Sequence, residues 1–217
     1  VGTYVSPTKE SNKKLLIASF VCGTVYVVAA AFQQVGMAMG TESGKAGFIT
    51  AMYMLIVPII GLFMKKQTPK TVWLSVPFAA VGLYLLCIKE GFTITTGDFY
   101  VLLCAFAYSA HILVIDHFTQ KVDGVALSCG QFMTVSVLSS IGMVLTETPS
   151  LSGIMACIGP ILYVGVFSSG VAYTLQILAQ KDSNPTVVSL LMSLESVFAT
   201  IAGAIILGDQ MNGKEYL

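Results

Sequence analysis

Arginine is missing from this chain altogether. Its basic residues are all lysine, and Lys+Arg 11 against Asp+Glu 11 leaves a formal net charge of zero. Charged residues make up only 10% of the 217 positions, where a soluble domain carries about 25%. A nucleic-acid partner needs a basic face, so this charge balance argues against one. Cysteine is sparse too. Cys22, Cys87, Cys104, Cys129 and Cys157 all lie in apolar runs, never at CxxC spacing. They read as packing residues, not as a zinc site or a disulfide framework. No Gly-rich phosphate loop with its lysine is present, so no nucleotide-driven step is indicated. No cofactor is expected.

What fills the chain instead is apolar sequence between widely spaced charges. No charged residue falls between Lys14 and Glu42, Lys45 and Lys65, Lys70 and Lys89, Asp98 and Asp116, Asp123 and Glu147, or Glu147 and Lys181. A helix crossing a hydrocarbon core of about 30 Å needs about 17–25 apolar residues. The runs predict seven spans, at 15–38, 46–64, 71–88, 98–118, 125–145, 154–179 and 185–207. They lack the alternation of barrel strands, so the expected fold is an all-α membrane protein, a polytopic transmembrane helix bundle. Lys13-Lys14 followed by Ala29-Ala30-Ala31 has the outline of a secretory signal, but the apolar run continues to Ala38, as a full span would.

The lysines give the expected orientation. Lys9, Lys13, Lys14, Lys65, Lys66, Lys70, Lys121 and Lys181 fall on one set of alternate loops, and only Lys45, Lys89 and Lys214 on the other. Basic residues favour the cytoplasmic side, which places the N-terminal tail and the loops near 67, 121 and 182 there. Trp73 fits an interfacial anchor at that edge. Asn184 or Ser183 is placed to cap the last span, with Pro185 in its first turn.

A weak internal repeat is also visible. Phe32-Gln33-Gln34 leads through Ser43 to Pro58 and Gly61, and Tyr173 leads through Gln176 and Ser183 to Ser196 and Gly203. By the lysine pattern the two copies cross in opposite directions. Such inverted repeats are typical of secondary transporters, with the substrate site at mid-membrane. The expected organisation is a tail or loop at 1–14, the later helices of a first repeat at 15–88, and a second repeat at 98–217.

Polar groups inside spans mark candidate sites, because they are costly in lipid. Glu195 is the sharpest, a carboxylate well inside the last run with no basic residue within a helical turn. It is a candidate substrate contact or proton carrier, and the plainer alternative is a carboxyl bonded to a neighbouring helix. Ser169, Tyr173, Gln176 and Gln180 share one face at helical spacing. Gln34, Tyr53 and Gln131 are further candidates, and Tyr108 and His111 fall at i, i+3 on one helix face. Each has a packing alternative, as an interhelical hydrogen bond or a buried histidine. Pro58 breaks the hydrogen-bond ladder of the second span, and Gly165 with Ser169 and Ala199 with Gly203 give the small-residue spacing of close helix contacts.

Several stretches carry a resemblance: Gln33-Gln34-Val35-Gly36, Gly47-Phe48-Ile49-Thr50-Ala51-Met52-Tyr53 with Val57-Pro58, Ala107-Tyr108-Ser109-Ala110-His111, Tyr163 to Tyr173, and Ser193-Leu194-Glu195-Ser196-Val197-Phe198. In this order and spacing the chain resembles an EamA-type member of the drug/metabolite transporter superfamily. The resemblance implies ten helices in two inverted five-helix repeats, with the seven spans corresponding to helices three to nine. It implies a permease or exporter of small molecules in the plasma membrane, and it leaves the substrate open. Two other classes are weighed beside it. One is a non-transporting scaffold or channel. The other is an intramembrane protease, for which Phe167-Ser168-Ser169-Gly170 lacks the first glycine and both histidines lie upstream.

Overall fold

The structure, a computed structural model, describes residues 9–64, 70–87, 94–202 and Ile205. Among the described residues every regular element is helical. They are α1 (Lys9–Ala38), α2 (Ser43–Ala51), α3 (Tyr53–Phe63), α4 (Lys70–Cys87), α5 (Thr96–Thr119) and α6 (Gly124–Thr146). Then follow α7 (Leu151–Ala156), α8 (Ile158–Tyr163), a π-helical segment (Val164–Ala172), α9 (Tyr173–Lys181), α10 (Pro185–Met192) and α11 (Glu195–Ala202).

Five stretches are long and apolar enough to cross a bilayer: Asn12–Ala38, Ser43–Phe63, Thr96–Thr119, Gly124–Thr146 and Ile158–Lys181. Shorter apolar helices occupy Val72–Leu85 and Pro185–Phe198. These seven fall within or close to the seven predicted spans, and the chain is a polytopic all-α membrane protein.

The structure differs from the sequence reading inside the spans. Pro58 sits within a continuous α3, and the break in that span falls earlier, at Met52. There the ladder tightens, with Met52 N–H donating to Ile49 O at 3.1 Å and Leu55 N–H to Met52 O at 2.9 Å. Three-residue closures of this kind mark a local 3₁₀ turn. The last span breaks the same way after Met192, where Leu194 N–H donates to Leu191 O at 3.2 Å. In the sixth span the π segment closes five-residue turns, as where Tyr173 N–H reaches Ser168 O. Ser169 lies in that segment, so the predicted α-helical stripe holds only from Tyr173 onward. Ala199 and Gly203 lie outside the described side chains, and no described atom would meet a Cβ at Gly165.

The chain groups into two compact units, Val1–Val27 with Val114–Asp182, and Val28–Leu113 with Ser183–Leu217. In the first unit Ala18, Cys22, Ile115, Leu127 and Ile177 form the core. Helices α1 and α6 nearly touch there, since a Cβ on Gly23 would stand 2.7 Å from the carbonyl oxygen of Gln131. Helix α9 is tied to α6 by the Ser128–Thr174 hydroxyl pair at 2.7 Å, and Gln120 Nε2 donates to Lys181 O at 2.6 Å. The second unit has its core at Ala51, Tyr53, Met54, Val57, Leu83, Ile112 and Leu113, with Leu190 and Met192 of α10 packed on it.

Local chemistry sets the joints of the second unit. Gly40, at φ +94°, ends α1 in a left-handed turn that a β-carbon would strain. Thr41 N–H bonds to Gly36 O and Gly40 N–H to Met37 O, which satisfies the last carbonyls of the helix. Asn184 caps α10 through its side chain, accepting from Thr186 N–H at 2.9 Å with Pro185 in the first turn, as the sequence predicted. Helix α5 starts with a capping box. Thr95 Oγ1 accepts from Asp98 N–H at 3.3 Å while Asp98 Oδ2 accepts from Thr95 N–H at 2.6 Å. The same carboxylate, only 4% exposed, receives Thr41 Oγ1 at 3.1 Å and Lys45 Nζ at 2.5 Å. One aspartate thereby fastens the starts of α2 and α5 together.

Candidate functional site

The sequence-predicted polar residues divide between the two units. Gln34, Tyr53, Tyr108, His111 and Glu195 belong to the second, and Gln131, Tyr173 and Gln176 to the first.

In the second unit Tyr53 is the first residue of α3, directly after the Met52 break, and Glu195 is the first residue of α11, directly after the break in the last span. The two lie within electrostatic reach of each other. Gly47 of α2 faces Ser196 of α11, its would-be Cβ 3.7 Å from the serine hydroxyl. Tyr53 is buried, Tyr108 packs against the same core, and His111 on the next turn of α5 is 1% exposed. Glu195 is exposed and makes no hydrogen bond or ion pair among the described residues. A carboxylate at a helix start is favoured by the positive end of the helix dipole, which eases its place in an apolar span.

Gln34 is exposed. Its neighbour Gln33 is the one turned inward, its Nε2 donating to Thr50 Oγ1 at 3.4 Å. Thr50 also meets the buried Cys104 thiol of α5. Thr50 and Cys104 escaped the sequence reading because a threonine or a cysteine in an apolar run looks like any small packing residue.

In the first unit α6 and α9 run side by side. Gln131 is fully buried on α6. Tyr173 and Gln176, one turn apart on α9, are half-buried. The Nε2 of Gln176 is buried without a hydrogen-bond acceptor among the described residues. The sequence reading missed two partners of this cluster. Tyr26 of α1 and Phe132 of α6 meet Tyr173 with ring centroids 5.2 and 5.5 Å from it, and lie 5.8 Å from each other. No charge or polar gap flagged them, since both are aromatic residues in apolar runs. No group of three histidine, cysteine, aspartate or glutamate side chains among the described residues is placed to hold a metal ion.

Apolar spans, two of them broken at polar residues, make this an integral multi-pass membrane protein. The chain belongs to the EamA-like transporter family, which it matches over residues 95–217. It is 31% identical over 206 residues to an uncharacterized transporter of Archaeoglobus fulgidus, an alignment covering 94% of this chain and 63% of that protein. The chain therefore spans less than two thirds of that relative's length. A protein crystal structure superposes with a TM-score of 0.67 at 16% identity, covering 99% of this chain and 83% of that one, and so shares the fold.

Proposed function

We propose that the intact protein is a secondary transporter of small molecules that works by alternating access in the plasma membrane. The observation that carries this reading is the pair of broken spans. Each resumes with a polar residue, Tyr53 in one and Glu195 in the other, and the two stand close together in one unit. Discontinuous helices at matching places in two halves are where secondary transporters hold substrate and coupling ions. Glu195, without an ion-pair partner among the described residues, is positioned to take a proton or a substrate group as the cycle proceeds. Gln131, Tyr173 and Gln176 supply the polar contacts of the other unit, and Tyr108 and His111 back Tyr53.

The test is uptake or efflux by the full-length protein in proteoliposomes across a range of pH. Glu195→Gln is expected to lower flux at least about tenfold and to flatten its pH dependence, with membrane insertion unchanged. An unaltered rate and pH profile would remove Glu195 from the mechanism. Flux retained in a Gln176/Glu195 double variant would overturn the proposed site, and absence of any flux from the inserted parent protein would favour a scaffold.

A further inference from the structure

The three rings of Tyr26, Phe132 and Tyr173 stand nearly at right angles to one another, with interplanar angles of 72°, 88° and 74°. They come from α1, α6 and α9, all within the first unit and all away from the span ends. Three mutually perpendicular planes form the corner of a box. A positive group in that corner would lie over three ring faces at once, each within about 6 Å, the arrangement by which aromatic cages hold methylated ammonium groups. Each ring is only half-buried, so the trio is not sealed in a core as a packing cluster would be.

Gln176 adds an independent observation. One turn beyond Tyr173, its Nε2 is a buried donor with no acceptor among the described residues. A buried donor in that state calls for a partner, and a ligand oxygen would supply one. Charge supplies the third. The stretches 15–27, 124–146 and 158–180 contain no charged residue. A bare cation in the corner would have no counter-charge within these stretches, and an unpaired charge at that depth is strongly disfavoured. A zwitterion brings its own.

We propose that this corner is a subsite for betaine-type zwitterions, with the methylated ammonium against Tyr26, Phe132 and Tyr173 and the carboxylate accepting from Gln176 Nε2. The assignment rests on the transporter reading and names its substrate class. Phe132 and Tyr26 become specificity-determining residues.

Isothermal titration of the purified full-length protein with glycine betaine and with 3,3-dimethylbutanoate tests it. The second compound has the same shape and carboxylate but carbon in place of the positive nitrogen. Betaine is expected to bind at least about tenfold more tightly. Phe132→Leu should weaken betaine binding by a similar factor, while Phe132→Tyr, which keeps the ring, should hold it within about threefold. Gln176→Leu should weaken betaine more than tetramethylammonium, which has no acceptor. Equal binding of betaine and its carbon isostere would overturn the proposal. So would an absence of betaine binding to protein that melts cooperatively, or parental affinity in a folded Phe132→Leu. Flux of another solute that betaine does not inhibit would sink the subsite and leave the transporter reading standing. Betaine binding without flux of any solute would do the reverse.

Discussion

Replacing Asp98 with alanine is expected to cost about 3–5 kcal/mol, the usual penalty for breaking a buried charge pair from one side. The carboxylate accepts from Lys45, from Thr41 and from Thr95 N–H, so its loss strips three hydrogen bonds of their acceptor at a single point. The thermal midpoint of the purified protein should fall on the order of 10 °C. Asp98→Asn should fall less, because the amide oxygen can still accept from Thr95 N–H. A charge swap, Lys45→Asp with Asp98→Lys, should not restore the parent. A lysine at 98 has no acceptor for Thr95, so the cap is lost even if the ion pair re-forms. Full rescue by the swap would mean that the pair alone matters and that the cap contributes nothing.

The second large effect is expected at Gly23. Its would-be Cβ stands 2.7 Å from the Gln131 carbonyl oxygen and 2.7 Å from Thr134 Cβ, so backbone and a β-branched neighbour both oppose it. On the same pair of helices, a Cβ on Gly130 would overlap the Ser19 side chain. Gly23→Leu must therefore push α1 away from α6, and overpacking of this sort costs about 1–3 kcal/mol or more. The displacement also moves Tyr26, one turn on, relative to Phe132. Lower yield of folded protein on size exclusion and a reduced midpoint are the expected readings. Gly165→Leu serves as the comparison, since no described atom lies within 4 Å of its would-be Cβ, and should leave both unchanged. Equal damage at both sites would show that side-chain size, not the α1–α6 crossing, decides the outcome.

The spans were legible because lipid imposes one demand everywhere, that charge stay out of the hydrocarbon, and the spacing of lysines and acids records it directly. The breaks were not. Met52 and Ser193 carry no helix-breaking chemistry, and the proline that does, Pro58, sits in an unbroken α3. Lys45 and Asp98 read as unrelated charges at the ends of spans because their partnership joins positions far apart in the chain. Small-residue spacing pointed to Gly165, whereas the close crossing uses Gly23 and Gly130, since spacing along one helix cannot say which neighbour it meets. For the candidate site, the residue types at Tyr53, Glu195, Tyr173 and Gln176 were visible, and their neighbours Thr50, Cys104, Tyr26 and Phe132 were not. Threonines, cysteines and aromatics are common in apolar spans, and only the fold separates those that meet a polar group from those that face lipid.

The wide turns of Val164–Ala172 bear on how chain length can vary in this region. A five-residue closure houses one residue more than an α-helical turn needs. Losing a single amino acid there would let the ladder relax to ordinary closures while α9, fastened through Thr174 and Lys181, stays where it is. The same loss inside α9 would turn Tyr173 and Gln176 by about 100° relative to the residues that follow. The segment thus acts as slack in the chain, a place where insertions and deletions leave the aromatic corner undisturbed.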